Sequence, residues 1–107
     1  MKYQVFIVVD AEEDLYEIYE YMLLNGSLEK ATKLVEKLKY QCGKLSKFPN
    51  RGHKIPELER VGVYEFLETH YKPYRIIYQI IEKNVYVHAI LDSRRDLEEL
   101  LQKRLLR

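Results

Sequence analysis

The sequence predicts an α+β fold in the order β-α-α-β-β-β-α: a small twisted antiparallel sheet packed against an N-terminal helical hairpin, with a C-terminal helix. Three observations predict it. An early run of β-branched and aromatic residues is followed by two stretches whose apolar residues recur at helical spacing. Two later β-rich runs are separated only by Glu82-Lys83-Asn84, short enough for an antiparallel hairpin. Helical and strand-like stretches are also segregated rather than alternating, which places the helices on one side of the sheet.

Each element follows from local chemistry. Tyr3, Val5, Phe6, Ile7, Val8 and Val9 make residues 2–9 a strand, and Asp10 ends it. Asp10 with Glu13 reads as a capping box, Glu12 and Asp14 suit the positive end of a helix, and Leu15, Ile18 and Met22 give the apolar spacing. Asn25-Gly26 closes that helix. Ser27 caps a second one, with Leu28, Ala31, Val35, Leu38, Cys42 and Leu45 on its apolar face, and the cluster Pro49-Asn50-Arg51-Gly52 stops it. Past a polar loop containing Pro56, residues 61–67, 74–81 and 85–91 read as strands. Asp92 or Ser93 then opens a final helix carrying Leu97, Leu100, Leu101 and Leu105.

With 107 residues, 47% of them hydrophobic, the chain suits one domain spanning 1–107 with a core of ordinary depth. Cys42 is the only cysteine, so an intramolecular disulfide is excluded and a reducing cytoplasm fits. The apolar run at residues 5–9 is too short for a signal-peptide core or a membrane span. The three histidines lack metal-ligand spacing, so neither a metal nor another cofactor is expected. The net charge of +1 hides a lopsided distribution: residues 1–26 carry −5, residues 27–60 carry +5 and residues 61–107 carry +1. Such asymmetry prepares one face for an anionic partner, or serves only solubility.

The run Pro73-Tyr74-Arg75-Ile76-Ile77-Tyr78-Gln79-Ile80-Ile81, followed by Val85-Tyr86-Val87-His88-Ala89-Ile90-Leu91-Asp92-Ser93-Arg94-Arg95-Asp96-Leu97, resembles the RelE/ParE toxin superfamily. The first run is similar to its "YRIIY" strand, and the second to its closing strand with an arginine-pair ending. The resemblance implies a toxin of a type II toxin–antitoxin (plasmid stabilisation) system that arrests growth and is held in check by a cognate antitoxin. It also implies one of two targets, DNA gyrase for ParE-like members or ribosome-bound mRNA for RelE-like endoribonucleases. Nuclease members carry lysines in the strand before the "YR" strand, where this chain has Val63-Tyr64-Glu65-Phe66-Leu67-Glu68. They also carry a stacking tyrosine in the last helix, where this chain has Leu97-Glu98-Glu99-Leu100-Leu101. Both departures incline the reading toward ParE.

If the chain cuts RNA, it does so without metal, and it needs cations for the phosphorane and an acid/base pair. A guanidinium suits the first task because it stays charged and pairs two phosphate oxygens at once, and the resemblance implies Arg75 and Arg95 as the candidate cations, Arg95 aligning with a position that contacts the scissile phosphate in RelE-like nucleases. The competing readings pair Arg75 with Glu65 or Glu68, and Arg95 with Asp96 or Glu98. His88, with Glu65 or His70, is the candidate acid/base; the alternative is a buried, hydrogen-bonded His88 on the face of Tyr86 and Ile90. His53 and His70 fall in loops. Arg51, Lys54, Arg60 and Arg94, with Lys47 and His53 nearby, are candidates for holding a nucleic acid or a protein target, or form a solvated charge run.

Overall fold

The computed structural model describes residues 2–106. Gln4–Ile7 forms strand β1, and two helices, α1 (Val9–Asn25) and α2 (Leu28–Gly43), follow as an antiparallel hairpin. A two-residue strand β2 (His53–Lys54) and a one-turn helix α3 (Pro56–Glu59) precede the strands β3 (Phe66–Tyr71), β4 (Tyr74–Ile81) and β5 (Asn84–Asp92). Helix α4 (Glu98–Leu105) closes the described chain. The sheet order is β1-β5-β4-β3-β2.

Strands β2 to β5 pair antiparallel, whereas β1 lies parallel to β5, with Gln4 opposite Asn84 and Ile7 opposite Val87. The tight turns Lys72-Pro73, a cis peptide, and Glu82-Lys83, with Glu82 at φ 58°, force neighbouring strands to reverse. Strand β1 has no such turn. It joins the sheet through a helical hairpin, which leaves its direction to packing.

Helices cover both faces of the sheet, not one as the sequence suggested. On the hairpin side Ala11, Leu15, Leu38 and Cys42 pack against Ile76, Tyr78, Val85, Val87 and Ile90. On the other side Ile55, Leu58, Leu97 and Leu101 pack against Phe66, Ile77, Ala89 and Leu91. Strict alternation would put Val85, Val87, Ala89 and Leu91 on one face. A β-bulge separates them: Ile77 is opposite Ala89 and Tyr78 opposite Val87, so His88 is the extra residue. The bulge also puts Ile90 on the hairpin side, away from His88.

Three boundaries differ from expectation. Helix α1 starts at Val9 with no side-chain cap, so the Asp10–Glu13 box does not cap it, whereas Ser27 Oγ does accept from Lys30 N at 3.2 Å. The strand expected at 61–67 is displaced to β3, because residues 58–63 turn back on themselves: Val61 N and Val63 N both donate to Leu58 O. The final helix begins at Glu98 rather than at Asp92 or Ser93. Asp92 is still in β5, and its Oδ1 accepts from Arg94 N at 2.9 Å, a local turn that competes with helix initiation.

Asp14 is a buried acid on the apolar side of α1. Its carboxylate accepts from the backbone N–H of Ile90 at 3.0 Å and from both Nη atoms of Arg104 at 3.1 and 3.2 Å. Arg104 also donates to the carbonyl of His88 at 2.9 Å, so one ion pair ties α1 and α4 to β5 beside the bulge. Replacing Asp14 by alanine leaves the buried Ile90 N–H without its acceptor and the half-buried Arg104 without its bidentate carboxylate, with the His88 carbonyl still in place. A loss of about 3 kcal/mol is expected. Urea unfolding checks it: a midpoint equal to that of the parent would show that this strut carries no load.

Candidate target-binding site

Arg75 lies on the α3/α4 face of β4, next to Ile77 in that strand's alternation and opposite His70 in register. Its guanidinium is filled. Nη1 and Nη2 donate to the two oxygens of Glu57 at 2.7 and 2.8 Å, and Nε donates to Glu68 Oε1 at 2.5 Å. The residue is 9% exposed and Glu68 is 4% exposed. The bond to Arg75 holds the Glu57 carboxyl below its usual range, against the opposing effect of burial, and Glu57 above all, then Glu68, pushes Arg75 still higher. The pairing with Glu68 was one of the two sequence readings. Glu57, the bidentate partner, was not foreseen; the available signal was an acid between Ile55 and Leu58, two residues that pack fully.

Arg95 stands elsewhere. With Arg94 it edges a cleft of about 300 Å³ on the hairpin side of the sheet, between α1 and the end of β5. The floor is Ile18, Tyr74 and Ile90, and the acidic walls are Asp14, Glu17 and Asp92. Tyr74 alternates with Arg75 along β4, so Arg75 and Arg95 occupy opposite faces of the sheet. Arg94 is bound to Asp92, through Nε at 2.9 Å and Nη2 at 2.6 Å, which lowers the Asp92 carboxyl below its ordinary value. Asp96 and Glu98, the acids considered for Arg95, are engaged otherwise: Asp96 accepts from Glu98 N, and Glu98 pairs with Arg60 at 3.0 Å.

His88, the bulge residue, is half-buried, with its ring edge-on to Phe66 and Nε2 3.1 Å from Gln79 Oε1. Burial, then the nearby Arg104 cation, pulls its pKa down, so it is a neutral, hydrogen-bonded core-edge histidine at physiological pH. His53 and His70 lie in β2 and at the end of β3, not in loops, with ring centroids 6.4 Å apart and His70 Nε2 3.6 Å from Glu68. The candidate cations of the basic loop each have a local partner. Arg51 lies over the Phe48 ring, Lys54 donates to Tyr64 O at 3.1 Å, and Arg60 is taken by Glu98.

Cys42 is buried, which pushes its thiol up to about 12 and leaves it an apolar spacer. Among the described residues, no group of three or more His, Cys, Asp or Glu is arranged to hold a metal ion. No helix among them is long and apolar enough to cross a membrane.

The chain shares its fold with solved structures from toxin–antitoxin systems. A chain in a structure of the chromosomal ParDE TA system from P. aeruginosa superposes with a TM-score of 0.72 at 20% identity, over 85% of this chain and 96% of that one. The free E. coli toxin RelE, as a double arginine-to-alanine mutant, gives 0.66 at 17% identity over 99% and 97%. The RelBE2 toxin–antitoxin complex from Mycobacterium tuberculosis gives 0.58 at 20% identity over 86% and 92%. No curated protein sequence matches the chain. Residues 5–97 match the family described as the ParE toxin of the type II toxin–antitoxin system parDE, and the chain therefore belongs to that family.

Proposed function

We propose that this toxin arrests growth by binding DNA gyrase rather than by cutting ribosome-bound mRNA, and that a cognate antitoxin neutralises it. One observation carries the reading: the guanidinium of Arg75, the cation a nuclease of this superfamily would be expected to present, is committed to Glu57 and Glu68 inside the fold. The groups around Arg95 support it. Asp14 is engaged by Arg104 and Asp92 by Arg94, and Tyr74 is pushed further from neutrality by burial. Asp92 and Tyr74, each shifted further from pH 7, make contacts well and exchange protons poorly there. The antitoxin would lay an amphipathic segment on the toxin, its acids against exposed guanidinium groups such as Arg95.

The test is a pair of assays with the purified chain, one following supercoiling of relaxed plasmid by gyrase and one following message on programmed ribosomes. Inhibited supercoiling with intact message is expected. Cut message with unimpaired gyrase would overturn the proposal in favour of the endoribonuclease, and Arg95→Ala should then slow cleavage by orders of magnitude, through lost charge stabilisation. Normal growth on strong expression without antitoxin would instead mark an inactive or purely interacting member.

A further inference from the structure

Helix α2 buries Ala31, Leu38 and Cys42 and turns the opposite side to solvent. On one flank of that outer side stand Lys30 and Lys37, and Lys44, the residue that caps the helix C-terminus, continues the seven-residue spacing; all three are exposed. At 1.5 Å per residue the row is about 21 Å long and drifts about 40° around the helix axis. None of the three lysines has an ion-pair partner among the described residues; the only lysine of α2 that does is Lys33, which Glu29 holds at 3.1 Å. Glu29 and Glu36, also seven apart, fall on the neighbouring flank. Tyr40 projects beside the row, 67% exposed, with the Lys44 ammonium 5.7 Å from its ring centre.

Helix stability does not account for the row. Lysines near a helix C-terminus complement the dipole, and Lys44 fits that description. Lys30, in the first turn of α2, opposes it. Charge balance along the chain also singles out this region, since residues 27–60 hold the +5 excess.

We propose that this flank of α2 docks on the backbone of duplex DNA, with Lys30, Lys37 and Lys44 each meeting a phosphate. A rigid, convex cationic row offers no cavity for a small anion and no groove for a peptide. A single tyrosine, already covered by Lys44, provides no platform for stacking successive single-stranded bases. A stiff polyanion with phosphates on both sides of a groove is the complementary shape. The choice of DNA over duplex RNA rests on the gyrase reading, because that enzyme works on duplex DNA. Contacts of this kind carry no sequence preference.

Fluorescence anisotropy with a labelled duplex of about 20 base pairs tests the proposal without gyrase. With three phosphates neutralised, affinity should fall about 40-fold between about 50 and 200 mM salt. The variant K30Q/K37Q/K44Q should bind at least about tenfold more weakly at low salt and with a flatter salt dependence, while K2Q/K72Q/K103Q, which removes the same charge elsewhere, should bind like the parent. Circular dichroism establishes that both variants are folded. Equal losses in the two variants, no binding by the parent, or tighter binding to a duplex RNA of the same length would each overturn the proposal. A chain that binds duplex DNA through this row yet leaves supercoiling untouched would support the docking surface and refute the gyrase reading, so the two failures are distinguishable.

Discussion

Arg75→Ala is expected to lose about 3–5 kcal/mol of stability, because it strands the carboxylate of Glu68 and half-strands that of Glu57 inside the fold. Total stability in small domains is about 5–15 kcal/mol, so the variant should melt far below the parent or be found unfolded. The triad also makes a pH signature. The Glu57 carboxyl is held below its usual range, mainly by its hydrogen bond to Arg75, so the folded state binds fewer protons than the unfolded one in mild acid. The resulting stabilisation is complete above the unfolded carboxylate pKa and disappears as pH falls through the lower folded value. Thermal melts of the parent across that window should show it, and melts of Glu57→Gln should show a shallower acid dependence. An Arg75→Ala protein that melts like the parent but no longer arrests growth would reverse the assignment and return Arg75 to the functional surface.

Gly52→Ala should have the second largest effect. A Cβ at residue 52 would lie 2.1 Å from the Tyr78 hydroxyl and 2.9 Å from the carbonyl oxygen of Glu68. Tyr78 is fully buried, and its hydroxyl donates to Pro49 O at 2.5 Å, locking the turn before β2 onto the centre of the sheet. Neither neighbour can retreat: one is anchored in the core and the other is backbone in β3. A cost of about 3 kcal/mol is expected from overpacking and a broken buried hydrogen bond. Adding Tyr78→Phe removes the closest atom and should recover part of the loss. Denaturant unfolding of the single and double variants measures this directly, and an additive double variant would show that the clash is not with Tyr78.

Both effects concern residues whose importance the sequence disclosed unevenly. Tyr78 and Arg75 stand in a conspicuous strand, and the pairing of Arg75 with Glu68 is readable because the two strands are joined by a short turn. Glu57 is eighteen residues from Arg75 and reaches it only because α3 lies across that face of the sheet. Asp14 and Arg104 are ninety residues apart. Asp14 left a trace, an acid one turn from Ala11 and Ile18 on the apolar side of a helix. Arg104 left none that distinguishes it from any solvated arginine.

The chain's own pattern of residues determined the types of the seven main elements, the helical hairpin with its Ser27 cap, the β4–β5 hairpin and the family, because these depend on neighbours in sequence: periodicity, turns and caps; β2 and α3, inside what reads as a polar loop, were not among them. The tertiary structure alone decided that β1 runs parallel to β5, that helices cover both faces, that the bulge at His88 moves Ile90 to the hairpin side, and that Arg75 and Arg95 face opposite ways. A side chain's face is set by register, and a guanidinium's availability by which carboxylates the fold carries to it. Both are consequences of packing between segments distant in the chain, and an extra residue in one strand is enough to reverse the first.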